Sequence, residues 1–241
     1  MLRCEVYLTK VNCIIKMKEK QLAAEKAVEY IRDGMILGLG TGSTVNFFLK
    51  KLGELVKKGL KVSGVSSSNS TTSLALSYNI PLIPIDDVNK IDLTIDGADE
   101  VDEQFNGIKG GGGALLFEKI TASISEKNIW IVDSVKLVNT LGKFPLPVEI
   151  VPFGYKHTLL NLNEAGFNAV LRKKNDNVFI SDSGNYIADL NLNEIKNPKK
   201  LSEDIKLING VIENGLFINV PDLVLVGTDE NVKVLENKSR T

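Results

Sequence analysis

From Lys20 to Val132 short apolar runs alternate with stretches of helical periodicity, and this alternation most narrows what the chain can fold into. Leu22, Ala23, Ala27, Val28 and Ile31 recur at helical spacing, and Asp33-Gly34 closes that segment. Met35–Leu39 then reads as a buried strand. Val45, Phe48, Leu49, Leu52 and Leu55 mark a second helix, stopped at Gly59. Residues 61–65 read as a strand, Ser70 as the cap of a helix running to Tyr78, and 81–85 and 91–95 as strands. A helix over 114–126 and a strand over 128–132 follow. Strands alternating with helices of ten or more residues argue for a largely parallel sheet with helices on both faces.

The rhythm changes after Phe144-Pro145-Leu146-Pro147. A strand at 148–151, a helix at 157–164, short strands at 169–172, 178–180 and 186–190, a helix at 199–208 and a strand at 216–218 suggest a second unit. Residues 223–227 form another apolar run that can return to the first sheet. The fold expected is therefore α/β, Rossmann-like, plus a small α+β, ferredoxin-like unit. Residues 1–18 are expected to be an extension. Residues 19–146 with 221–241 should form the main catalytic unit. Residues 147–220 should form the small one, with an oligomerisation role.

Scarce residue types exclude several chemistries. Among 241 residues there is one histidine, His157, and two cysteines, Cys4 and Cys13. A zinc site built from Cys and His has too few ligands. A histidine-based nucleophile system would have to use His157, which lies in no such motif and is best read as structural or surface. The two cysteines make no disulfide framework. The net charge of −1 gives no general attraction to nucleic acid or anionic membrane. No run approaches a membrane span, and residues 1–18 do not read as a signal peptide, so a cytoplasmic protein is expected. Acid–base chemistry falls to carboxylates, lysines and hydroxyls.

Four loops can carry chemistry, three of them after strands, where open α/β sheets place their ligands. Gly38-Leu39-Gly40-Thr41-Gly42-Ser43-Thr44 opens a helix, and its amides and hydroxyls suit a phosphate. Ser43 occupies the third glycine position of a dinucleotide fingerprint, and the P-loop lysine is missing. Asp96-Gly97-Ala98-Asp99-Glu100 puts three carboxylates together, able to hold sugar hydroxyls or a metal, or simply to form an acidic turn. Lys109-Gly110-Gly111-Gly112-Gly113 precedes a helix whose first turns carry Glu118. Bare amides and a lysine there can stabilise an oxyanion, and Glu118 can serve as a base or be an ordinary first-turn acid. Asp133-Ser134-Val135-Lys136 supplies a further lysine. Together these groups suit proton transfer beside the carbonyl of a phosphorylated sugar.

The same motifs resemble ribose-5-phosphate isomerases of the A type. The residues that carry the resemblance are 38–44, 96–100, 109–115, Glu118-Lys119 and Leu-Gly-Lys-Phe-Pro-Leu-Pro-Val-Glu at 141–149, in the family's order, between about Lys20 and Thr228. The resemblance implies interconversion of D-ribose 5-phosphate and D-ribulose 5-phosphate in the pentose phosphate pathway. It implies no metal or organic cofactor and a homodimer or homotetramer. By the same resemblance Glu118 is the catalytic base. The chemistry of the residues then makes Asp96, Asp99 and Lys109 catalytic as well, with Asp96 the agent of ring opening and Asp99 and Lys109 positioning the reacting edge. Substrate binding falls to Thr41, Gly42, Ser43, Thr44, Asp96, Gly97, Ala98, Asp99, Lys109, Gly110, Gly111, Gly112, Lys136 and Lys20. Phe117 stands where the family often has arginine. The rival readings are a sugar-phosphate deaminase, for which no placed histidine is visible, a coenzyme A transferase, and a sugar-phosphate-sensing regulator.

Overall fold

A computed structural model describes residues 2–240, with side chains described from Ile14 onward. The side chains of Cys4 and Cys13 lie outside the described residues. Helix α1 (Leu2–Ala27) runs unbroken from the segment expected to be an extension into the domain, ending in a 3-10 turn at Val28–Tyr30. Ala23, Ala24 and Ala27 are fully buried; their small side chains let α1 lie close on the sheet.

Strand β1 (Ile36–Leu39) leads into α2 (Ser43–Lys57), and β2 (Ser63–Ser66) into α3 (Asn69–Ser77). The cap of α3 is Ser68, whose hydroxyl accepts from Thr71 N at 3.1 Å, and not the expected Ser70. Residues 81–85 make no strand. They bridge Gly64 at Leu82 only, because Pro81 and Pro84 supply no N–H to a ladder, and Ile85–Asp87 closes as a 3-10 turn. Next come β3 (Leu93–Asp96), the short β4 (Glu100–Val101) and β5 (Gly107–Ile108), α4 (Leu115–Ser123) and β6 (Asn128–Asp133).

The second layer holds β7 (Leu146–Ile150), α5 (Tyr155–Glu164), β8 (Ala169–Leu171), the hairpin β9 (Lys173–Lys174) and β10 (Asn177–Val178), and β11 (Tyr186–Leu190). It continues with α6 (Pro198–Lys206), β12 (Val211–Asn214) and β13 (Leu216–Phe217). The chain ends in β14 (Leu223–Gly227) and β15 (Val232–Glu236).

The main sheet has the order β15-β14-β6-β3-β1-β2, parallel except for β15. The second sheet, β12-β7-β11-β8, is antiparallel. With α5 and α6 this is a β-α-β-β-α-β arrangement in the ferredoxin-like order, and β13-β5-β4 joins it to the main layer. One apolar core packs α1 and α2 on the main sheet, and a second lies under α5 and α6. Residues 223–227 return to the main sheet beside β6, as their apolar run suggests. No helix among the described residues is long and apolar enough to cross a membrane.

Candidate active site

The carboxyl ends of β1 and β3 and the glycine-rich turn before α4 face one pocket. Its walls carry Lys20, Thr41–Thr44, Gly97–Asp99, Lys109–Gly112, Glu118 and Lys136. Of the fifteen residues named from the sequence, only Asp96 is not on the wall. It lies directly behind Lys109.

Asp96 is buried at the end of β3. Its Oδ1 accepts from Thr41 N at 3.0 Å and Gly97 N at 2.7 Å, and its Oδ2 pairs with Lys109 Nζ at 2.9 Å. The Lys109 ammonium also donates to Gly97 O at 2.5 Å and stands 3.3 Å from Glu118 Oε2. Burial works against the lysine's charge, but Asp96, Glu118 and Asp99 outweigh it and raise its pKa. Glu118 is buried too, and burial pushes its carboxyl up to about 8. Asp96 and Asp99 add to the rise and Lys109 opposes it. Among the described residues its Oε2 has no hydrogen-bond partner: the ammonium is near enough to ion-pair but not aligned to donate. A carboxylate with an open oxygen and a pKa near neutrality is suited to taking a proton and giving it back.

Asp99 lies across the pocket, its Oδ2 accepting from Gly111 N at 2.8 Å. Gly110 and Gly113 have φ of +100° and +81°, which explains glycine at those two places. Glu100 does not join the other carboxylates. Its oxygens accept from Gly142 N at 2.7 Å and Phe144 N at 2.6 Å, so it anchors the 141–145 loop. The three carboxylates therefore do not converge, because Glu100 opens β4 and is taken up by the amides of that loop. Among the described residues, no three His, Cys, Asp or Glu side chains gather as a metal cluster.

At the other end of the pocket, Lys20 Nζ donates to Ser43 Oγ at 2.9 Å and lies 3.7 Å from Asp133. Lys136 faces the Phe144 ring at 5.6 Å. Thr41 departs from the expected hydroxyl donor. Its Oγ1 donates to Ser68 Oγ at 2.8 Å and sits 3.1 Å from Ser67 Oγ, so it ties the turn to α3. His157 is exposed on α5, far along the chain from these loops.

Several contributors carry no local sequence signal. Glu19 accepts from Ser134 N at 3.1 Å and Ser134 Oγ at 2.9 Å, docking α1 so that Lys20 reaches the pocket. Lys119 donates to Glu213 Oε1 at 3.0 Å, Asn214 O at 2.7 Å and Leu216 O at 2.8 Å, tying α4 to the second layer. Burial pulls its pKa down to about 8 against the pull of Glu213.

Comparison with known proteins places the chain in a family. The family model of ribose 5-phosphate isomerase A (phosphoriboisomerase A) matches residues 63–231. A ribose-5-phosphate isomerase A of Listeria innocua is 49% identical over 212 residues, 88% of this chain and 95% of its own. A D-ribose-5-phosphate isomerase solved in complex with phospho-erythronic acid superposes with a TM-score of 0.87 at 42% identity, covering 90% of this chain and 97% of that one. The Plasmodium falciparum ribose 5-phosphate isomerase gives 0.87 at 38% identity, covering 92% and 99%. These two alignments extend over most of the chain, beyond the start of the family match at residue 63. The chain belongs to the ribose 5-phosphate isomerase A family of aldose–ketose isomerases.

Proposed function

We propose that the chain interconverts D-ribose 5-phosphate and D-ribulose 5-phosphate with Glu118 as the base that carries the proton between C2 and C1. The observation that carries this reading is the buried Glu118 carboxyl, one oxygen unpartnered, on the pocket wall beside the Lys109 ammonium. Asp99 is the carboxylate open to the pocket, and Asp96 acts through Lys109; we assign opening of the sugar ring to this set. Glu118 then takes the C2 proton while the electron pair moves to O1, giving an enediolate whose charge Lys109 and the loop amides stabilise. O1 gains a proton, O2 loses one, and Glu118 returns its proton to C1, so nothing is consumed. The phosphate is held by the amide end of α2 with Ser43, Thr44, Lys20 and Lys136.

Phospho-erythronic acid, bound in one solved relative, supports the reading, since a sugar-acid phosphate carries a paired-oxygen anion and a phosphate as the enediolate does. The same reading places the enzyme in the cytoplasm and in the pentose phosphate pathway, working as a homodimer or homotetramer. The exposed Phe153 and Leu207 of the second layer are what support assembly.

The test is Glu118→Gln. It keeps the shape and removes the basic oxygen. It should lower kcat by ~10²–10⁴-fold with a much smaller change in KM, and abolish exchange of the C2 proton with solvent. A kcat within a few-fold of wild type overturns the assignment. Activity should persist through exhaustive chelation, because an ammonium holds the place between the carboxylates.

A further inference from the structure

The glycine turn is gripped from behind by a residue of the second layer. Arg172, just past β8, donates from Nη1 to Gly110 O at 2.9 Å and to Gly111 O at 3.1 Å. Its Nε and Nη2 bond Asp189 of β11 at 2.8 and 2.5 Å, and its guanidinium lies 5.7 Å from the Phe179 ring centre. Phe179 in turn occupies the space a Cβ on Gly113 would need.

A trans peptide plane points its carbonyl and its N–H in opposite directions. Holding Gly110 O therefore aims the Gly111 N–H, which donates to Asp99 Oδ2 at 2.8 Å. Holding Gly111 O aims the Gly112 N–H away from Arg172, and Gly112 is on the pocket wall. Glycines have no side chains to bias these planes, and four in a row would otherwise sample many orientations. We propose that Arg172 is a positioning residue for the isomerisation, fixing the two peptide planes that set Asp99 and the loop amides against the reacting edge of the sugar. This rests on the function proposed above. Arg172 has no place at the phosphate end, where the groups come from α1, α2 and the 134–136 turn.

The test compares Arg172→Ala, Arg172→Lys and Asp189→Asn with wild type and with Glu118→Gln. The readouts are kcat and KM for ribose 5-phosphate and the inhibition constants of phospho-erythronic acid and inorganic phosphate. Arg172→Ala should lower kcat ~10- to 100-fold, the scale of a misplaced catalytic constellation, with KM changed less. Phospho-erythronic acid should weaken along with kcat, and inorganic phosphate should bind as before. Added guanidinium ion should restore part of the loss. Arg172→Lys should fall between, since an ammonium lacks the planar fork that holds Asp189 from one edge and the two carbonyls from the other. Wild-type kcat in Arg172→Ala, or equal weakening of both inhibitors without rescue, overturns the proposal. If Arg172→Ala does not fold, wild-type kcat in both Arg172→Lys and Asp189→Asn overturns it instead. An active Glu118→Gln sinks the underlying chemistry whatever Arg172 does. An inactive Glu118→Gln beside an unaffected Arg172→Ala sinks this inference alone.

Discussion

Gly40 and Asp96 compete for one space: a Cβ on Gly40 would lie 2.0 Å from Asp96 Oδ1 and 2.6 Å from its Cα. The β1 turn can pass the end of β3 only without a side chain. Gly40→Ala should therefore move the Asp96 backbone and, through Oδ2, Lys109. It should cost roughly 1–3 kcal/mol of stability and most of the activity. Gly42→Ala is the contrast. Nothing lies within 4 Å, but its φ is +124°, so the cost there is strain in an open site. Urea unfolding and kcat of both variants check this. A fully active Gly40→Ala would mean that Asp96 need not stay where it is.

The pH dependence of the reaction follows from Glu118. Only its carboxylate can take the C2 proton, and its pKa is pushed up to about 8. The free enzyme's kcat/KM should rise through that region as the group ionises. Asp99 contributes to the elevation, so Asp99→Asn should move the midpoint to lower pH. A profile flat from pH 6 to 9 would contradict the assignment.

The same shift bears on stability. The folded state holds the Glu118 proton from the unfolded value of 4.5 up to about 8. The contribution is fully present below about 4.5 and is lost as pH rises through about 8. Its slope in that window is at most about 1.4 kcal/mol per pH unit for one proton. Glu118→Gln has no such loss. Its stability relative to wild type should grow between pH 5 and pH 8 and then level off, measured by urea unfolding across the range.

Ser43 and Thr44 should distinguish phosphate from sugar. Ser43→Ala also frees Lys20 Nζ from its 2.9 Å bond, and either change should weaken phosphorylated ligands by ~1–3 kcal/mol for each charge-assisted hydrogen bond lost. Affinity for unphosphorylated ribose should stay nearly constant. Equal losses for both ligand classes would reduce 41–44 to a structural turn.

Much of this site was legible before any coordinate was known, and what was missed has a pattern. The turns at 38–44 and 96–99 announce themselves by glycines and short polar residues after apolar runs, and the turn at 109–113 by its four successive glycines. Glu100 stands beside two other carboxylates in the sequence, and only the 141–145 loop shows which way it points. Thr41 lines the pocket, and only the tertiary structure shows that its hydroxyl also bonds Ser68 at the start of α3. Strand β15, Val232-Lys233-Val234-Leu235-Glu236, lies at the sheet edge, and its antiparallel pairing with β14 is set only in the tertiary structure. The short β4 and β5 are likewise strands only because each finds a partner.

The alternation of strand and helix, and with it a parallel sheet whose loops gather at one edge, is written in the local pattern of residues. Those features depend on residues a few positions apart, within reach of backbone sterics and hydrophobic period. Tertiary structure alone decided how the site is held. Glu19 meets Ser134 across 115 positions, Lys119 meets Asn214 across 95, and Arg172 meets Gly110 across 62. Each partner is an ordinary charged or backbone group with no local mark. It finds its counterpart only once two cores have packed and left buried hydrogen-bonding groups that must be satisfied.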